Sequence, residues 1–212
     1  MSPPDNIVLV VDDDRRIREA LQELLTAAGL NVVTFGSAAE YMAFPKPNVP
    51  SCLVLDVELP DINGLELQRR IAADRHPQIV FITGHGDVPR TVRALKAGAV
   101  DFLTKPFSDA ELMAAVEAAL TRDRETRSEQ AQVATLEHRF ATLTPREREV
   151  LPLVVSGFLN KQAAAKLGIS PVTLQIHRGK IMRKMEADSL AELVRMAGTL
   201  GIPVTRSRAA HP

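Results

Sequence analysis

Along the first 120 residues, short unbroken apolar runs alternate with stretches whose apolar positions recur every three or four residues. The runs are Ile7–Val11, Val32–Phe35, Cys52–Leu55, Ile79–Ile82 and Val100–Leu103. Apolar runs this short, with no polar alternation, suit strands covered on both faces. Between them lie helical periods: Ile17, Leu21, Leu24 and Leu25; Leu65, Leu67 and Ile71; Val88, Val92 and Leu95; Leu112, Val116 and Leu120. Gly29 and Gly98 follow two of these as stop signals. Five strand–helix units predict an α/β domain built on a doubly wound, five-stranded parallel sheet over residues 5–121.

The pattern then changes. Residues 121–137, TRDRETRSEQAQVATLE, are polar, charged and free of Gly and Pro. They read as a helical linker over 122–139, with a flexible coil as the alternative. From Leu143 the strand signals stop. Helices are predicted at 145–156, 160–167, 171–185 and 188–198, an all-α four-helix domain over 140–200. Thr144-Pro145 with Glu147, and again Ser170-Pro171, are helix start signals. Gly168 falls in the short break a helix-turn-helix requires. Pro152 lies well inside the first of these helices and predicts a kink. Gly179 inside the third costs about 1 kcal/mol relative to Ala. The terminal RSRAAHP reads as disordered.

Composition narrows the class. A single cysteine, Cys52, excludes a disulfide framework. No run approaches the ~18 apolar residues of a membrane span, and the N-terminus lacks the apolar core of a secretory leader, so a cytoplasmic location is expected. The net charge of zero conceals an asymmetry. Residues 1–122 carry 12 Lys+Arg against 17 Asp+Glu, a net of −5; residues 123–212 carry 14 against 9, a net of +5. Two domains with different partners follow, and the basic one invites nucleic acid.

In a parallel α/β sheet, chemistry gathers at the carboxyl ends of the strands. Those ends carry Asp12 and Asp13, Asp56, Thr83 and Lys105. Three converging carboxylates repel one another unless a cation joins them. An all-oxygen set selects a hard ion, Mg²⁺ first and Mn²⁺ second. Lysine and hydroxyl beside it would hold an anion, and a free carboxylate would accept a phosphoryl group. Asp14 reads as a helix cap.

The motifs VLVVDD (8–13), LVLDVELPDINGLEL (53–67), FITGHGD (81–87) and GAVDFLTKPF (98–107) occur in that order, and the segment 5–120 resembles a response-regulator receiver domain. The resemblance implies Asp56 as phosphoacceptor. It implies a metal pocket of Asp12, Asp13, Asp56 and the backbone carbonyl of Glu58. Thr83 becomes the switch hydroxyl, Lys105 the phosphoryl partner ahead of a cis Pro106 peptide, and Phe102 the aromatic switch. The Glu58 side chain stands either near the attacking water or in solvent. Gly84 leaves room over the site, and His85 reads as a loop histidine.

In the basic half, helix 171–185 carries Gln175, His177, Arg178, Lys180, Arg183 and Lys184. Ile176, Ile181 and Met185 form an approximate core stripe. Side chains near the start of a helix reach base edges in the major groove. Gln175 and Ile176 are the base-contact candidates, Arg178 and Lys180 stand between base and phosphate, and Lys161 and Thr173 suit phosphates. The segments LTPREREVL (143–151), NKQAAAKLGIS (160–170) and VTLQIHRGKIMRKM (172–185) resemble the DNA-binding domain of NarL/FixJ (LuxR-type) regulators. Together the resemblances imply a phosphorylation-dependent transcription regulator. Its expected partners are a sensor histidine kinase, double-stranded DNA and, on phosphorylation, a second copy of itself. An aspartyl-phosphate hydrolase and an RNA-binding output are the alternatives. The first is disfavoured because Glu58, not a second aspartate, stands two residues after Asp56.

Overall fold

A computed structural model describes residues 5–71, 77–84 and 95–203. Their contacts divide the chain into two compact units, 1–127 and 128–212. The first unit is built on five parallel strands, β1 (Ile7–Val11), β2 (Val32–Phe35), β3 (Ser51–Asp56), β4 (Gln78–Thr83) and β5 (Asp101–Thr104), in the order β2-β1-β3-β4-β5. Registers such as Leu9↔Leu53, Leu55↔Phe81 and Ile82↔Leu103 align the carboxyl ends along one edge. Helices α1 (Arg15–Ala27), α2 (Ala38–Ala43), α3 (Gly64–Ile71) and the start of α4 (Asp109–Ala141) cover the sheet.

The unbroken apolar runs have the use expected of them. Leu9, Val11, Leu53, Leu55, Ile79 and Phe81 face one core with Tyr41 and Leu67. Val8, Val10, Cys52, Val54, Val80 and Ile82 face the other, with Leu21, Leu25, Leu112 and Val116. At about 25 cal/mol per Å² of apolar surface, this two-faced burial is the main force holding the sheet. Two differences from the sequence reading appear. Strand β5 pairs from Asp101 rather than Val100, whose N–H still donates to Ile79 O at 2.7 Å. The short helix α2 has no counterpart in the apolar periods; its signal is local, Ser37 accepting from Glu40 N–H while Glu40 accepts from Gly36 N–H. The helical period at Val88–Leu95 lies mostly outside the described residues.

Helix α4 contains the whole of 122–139. Asp123, in the segment that reads as polar linker, is buried and accepts from Ser51 N–H at 2.9 Å and from Arg127 Nε at 2.5 Å. The residue thus ties the start of β3 to α4.

The second unit packs α5 (Pro145–Val155), α6 (Asn160–Leu167), α7 (Pro171–Met185) and α8 (Leu190–Thr199) around Val150, Leu151, Val154, Leu174, Ile181, Met185 and Leu193, with Leu136 and Phe140 of α4 against it. Helix α5 continues through Pro152 to Val155. Between α6 and α7, Gly168 takes φ +65°, a left-handed turn that suits glycine. On α7 the core line is Leu174, Ile181 and Met185; Ile176, read as part of that stripe, is exposed. The heptad-like steps from 174 to 181 and 185 keep one face inward, and 176 falls on the other.

At the start of α5, Thr144 and Glu147 form a reciprocal capping box, and buried Glu147 also accepts from Lys184 Nζ at 2.7 Å. Burial disfavours the Glu147 carboxylate, but the Lys184 ammonium and the Thr144 N–H and hydroxyl outweigh it and hold its pKa below the usual carboxylate value. A folded pKa below the unfolded one means the unfolded chain binds this proton more tightly, so the stabilisation is present above the unfolded pKa of about 4.3 and is lost as pH falls through the folded value. Glu147→Gln should therefore lower the melting temperature at neutral pH and lose less further stability on acidification than wild type. Equal acid-induced losses in the two proteins would contradict this.

A second prediction concerns Gly64. A Cβ there would lie 2.4 Å from the Asp56 carbonyl oxygen. Neither atom can retreat, because Gly64 N–H is itself bonded to Val57 O at 2.9 Å. Gly64→Ala should destabilise the first unit by about 2 kcal/mol or more through overpacking, measured by chemical unfolding. A neutral effect would mean the approach of α3 to β3 is not constrained.

Candidate functional site

The ends of β1, β3, β4 and β5 bring Asp12, Asp56, Thr83 and Lys105 to one edge of the sheet. Asp12, Asp56 and Thr83 are buried, and Asp13 is exposed beside them. Carboxylate oxygens of Asp12, Asp13 and Asp56 all lie within 4.8 Å of one another. The Lys105 ammonium sits between two of these groups, 2.7 Å from Asp12 Oδ2 and 2.6 Å from Asp56 Oδ2. Residues 93 and 49 positions apart in sequence are thus joined at a single cation.

The backbone fixes the remaining oxygens. Asp14 N–H donates to Asp12 Oδ1 at 2.8 Å, and Glu58 N–H to Asp56 Oδ1 at 2.9 Å. Asp14 caps α1 through Arg16 N–H. Lys105 is placed by its own N–H, which donates to Thr83 O at 2.7 Å, and is followed by a cis bond to Pro106. Phe102, half-buried on β5, packs against Phe81 with ring centroids 6.1 Å apart. The Glu58 side chain is exposed. Beside Gly84, a Cβ would meet nothing within 4 Å. His85 lies outside the described residues.

The electrostatics follow from this placement. Burial pushes the Asp12 carboxyl above its usual pKa, against the pull of Lys105 and the Asp14 N–H. Burial also works against the Lys105 ammonium, but its bonds to Asp12 and Asp56 prevail and raise its pKa. Counted as ionised, three carboxylates and one ammonium leave two negative charges uncompensated. An oxygen-only set with that charge fits a hard divalent cation.

Two residues here were not singled out from sequence. Arg18 donates to the backbone carbonyls of Asp12 at 2.7 Å and Asp13 at 2.9 Å, pinning the acidic turn from α1. Its signal was position, six residues beyond Asp12 in the basic stretch RRIR. Asp61 accepts from Ala39 N–H at 3.0 Å and Ala38 N–H at 3.4 Å, tying the loop after β3 to the start of α2.

On the helical unit, Lys161, Gln175, Ile176 and Lys180 are exposed. Ser170 caps the start of α7 by accepting from Thr173 N–H at 3.0 Å, and the Thr173 hydroxyl lies 2.8 Å from that of Ser170. Arg178 is half-buried, its Nη1 3.4 Å from Asn160 Oδ1. Asn160, also not singled out from sequence, donates its amide to Gln175 Oε1 as well, so one side chain on α6 orients two on α7. His177 is half-buried, and its Nδ1 has no hydrogen-bond partner among the described residues. Lys184, one of the DNA-contact candidates, donates to Glu147 at 2.7 Å and to Thr142 O at 3.0 Å. The reason is angular: its position on α7 faces α5, where a buried carboxylate needs a cation.

Comparisons with known proteins agree with both halves of this geometry. Residues 8–117 match the family described as response regulator receiver domain, and residues 141–197 match the bacterial regulatory proteins of the luxR family. Nodulation protein W of Bradyrhizobium diazoefficiens is 54% identical over 197 residues, covering 92% of this chain and 87% of that protein. The transcriptional regulatory protein FixJ of Azorhizobium caulinodans is 45% identical over 196 residues, covering 92% and 93%. Among solved structures, the response regulator StyR superposes with a TM-score of 0.81 at 45% identity, covering 92% of this chain and 98% of that one. Full-length FixJ from B. japonicum gives 0.55 at 38%, covering 95% and 100%. With a receiver fold carrying acidic strand ends and a helix-turn-helix carrying exposed basic residues, the chain belongs to the response regulators with a LuxR-type DNA-binding domain, phosphorylation-dependent transcription regulators rather than enzymes.

Proposed function

We propose that Asp56 accepts a phosphoryl group from a sensor histidine kinase and that this controls binding of α7 to double-stranded DNA, in the cytoplasm. The observation that carries the reading is the Lys105 ammonium held between Asp12 and Asp56 at 2.7 and 2.6 Å, with Asp13 alongside. An Asp56 carboxylate oxygen attacks the phosphorus of a phosphohistidine; the O–P bond forms, the P–N bond breaks, and the departing imidazole takes a proton from solvent. Asp12, Asp13, Asp56 and the backbone carbonyl of Glu58 would hold Mg²⁺, or Mn²⁺, which when bound offsets the converging negative charge.

The chain's own residues do the rest. Asp56 is positioned by Glu58 N–H and by Lys105, so its carboxylate is oriented before the donor arrives. Lys105 is already a cation at the place where phosphoryl oxygens appear. The burial of Asp56 keeps bulk water from the acyl phosphate. After transfer the group carries about −1.5 to −2 charge, by analogy with other phosphorylated side chains. Those oxygens draw the Thr83 hydroxyl inward and Lys105 onto the phosphoryl group. The space Thr83 leaves is taken by Phe102, and the surface around β5 changes, which favours pairing of two copies. Two copies would place two α7 helices in major grooves about one helical turn apart, with Gln175 and Ile176 at base edges and Lys161, Thr173 and Lys180 at phosphates.

Incubation with acetyl phosphate and Mg²⁺ should label the chain at Asp56, mapped by mass spectrometry. Asp56→Asn should abolish the label, and a label persisting elsewhere would move the acceptor. For the DNA contact, Lys161→Ala should weaken binding to all duplexes and flatten the log–log salt slope by about 1. An unchanged slope would remove Lys161 from the phosphate contacts.

A further inference from the structure

Helix α7 is anchored by Leu174, Ile181 and Met185. At roughly 100° per residue, the direction away from that core line is occupied by Val172, Ile176, Gly179 and Arg183, each about one turn beyond the last. Val172 is 70% exposed and Ile176 53%. A third large apolar residue, Leu159 at 69%, directly precedes Asn160, whose amide donates to Gln175 on the flank of α7. Single exposed apolar side chains are ordinary. Two aligned on the outward face of α7, in a domain of net positive charge, call for an occupant.

Gly179 sharpens the question. A Cβ at that position would meet nothing within 4 Å, and its backbone does not take a positive φ. Neither packing nor backbone conformation inside the chain therefore requires glycine. An alanine would be the better helix former. The bare turn leaves that part of the helix surface open to something that approaches from outside.

The flanks of the ridge identify that occupant. Lys180 and Arg183 are exposed along it, and Lys161 is exposed at the start of α6. Apolar side chains framed by cations suit the major groove, whose walls are phosphates and whose one apolar group is the thymine 5-methyl. We propose that Val172 and Ile176 read the methyl groups of two thymines, and that Gly179 keeps the following turn bare so that the helix seats deeply enough for both contacts. Four residues of helix advance about 6 Å, and base pairs are stacked about 3.4 Å apart. The two thymines therefore lie about two base steps apart. This inference rests on the reading of α7 as the DNA-contacting helix and adds the base chemistry that the helix selects.

The test uses the full chain, treated with acetyl phosphate and Mg²⁺, and duplexes recovered from a random pool. Each thymine in the recovered site is replaced in turn by deoxyuridine, which removes only the 5-methyl group. Wild type should lose about fourfold in affinity at each of two positions, the equivalent of about 0.8 kcal/mol per buried methyl. Val172→Ala should become insensitive to deoxyuridine at one position and Ile176→Ala at the other, a coupling that general misfolding does not produce. Gly179→Ala should raise the melting temperature while weakening binding to the same site at least tenfold. Deoxyuridine tolerated everywhere by wild type, or Ala variants that keep both sensitivities, would overturn the methyl reading. Unchanged affinity in Gly179→Ala would overturn the role of the bare turn. A chain that binds no duplex at all would instead overturn the reading of α7 as a DNA contact, and this inference with it.

Discussion

One lysine holds the receiver's chemistry together. The Lys105 ammonium bonds carboxylates from the ends of β1 and β3, and it does so from the end of β5. Burial disfavours the ionised Asp12 carboxyl, and the Lys105 ammonium beside it opposes that. The sheet order places β1 and β3 side by side at the centre and brings β5 to the edge next to β4. The lysine side chain reaches from that edge to the middle. The site is thus a consequence of the strand order, and the apolar runs that hold the strands in register are what keep it assembled.

The same economy of charge recurs in the helical unit. Glu147 is buried at the start of α5 and is satisfied by the Thr144 cap and by Lys184. That pair fixes how α7 lies against α5. With Leu174, Ile181 and Met185 inward and Lys184 bonded to Glu147, the residues left facing outward after Pro171 are Val172, Gln175, Ile176, Gly179, Lys180 and Arg183. The outward surface of α7 is defined by what the core and the ion pair have already used.

Much of this was legible in the chain itself. Strand positions followed from unbroken apolar runs, because a strand buried on both faces has no polar position to interrupt it. The acidic site followed from what those strands end in. Helix α2 was not legible from periodicity, since six residues hold too few apolar positions to show a period, though the Ser37–Glu40 cap marked it. Asp123 read as solvated linker because its partner, Ser51 N–H, lies 72 residues away. The Lys184 bond to Glu147 was not legible, because composition cannot tell which flank of a basic helix faces a buried carboxylate. Arg18 and Asn160 were hidden for the same reason: their roles are hydrogen bonds to groups that only the fold brings near.

As proposed, Asp12, Asp13, Asp56 and Lys105 act as one site for a divalent cation and a phosphoryl group. The most direct measurement is a Mg²⁺ titration of the full chain followed by backbone amide resonances. The account predicts a single saturable process whose shifts centre on residues 12–14, 56–58, 83–84 and 105, and whose amplitude collapses in Asp13→Asn. Shifts scattered over exposed carboxylates without saturation, or an undiminished response in the variant, would contradict it.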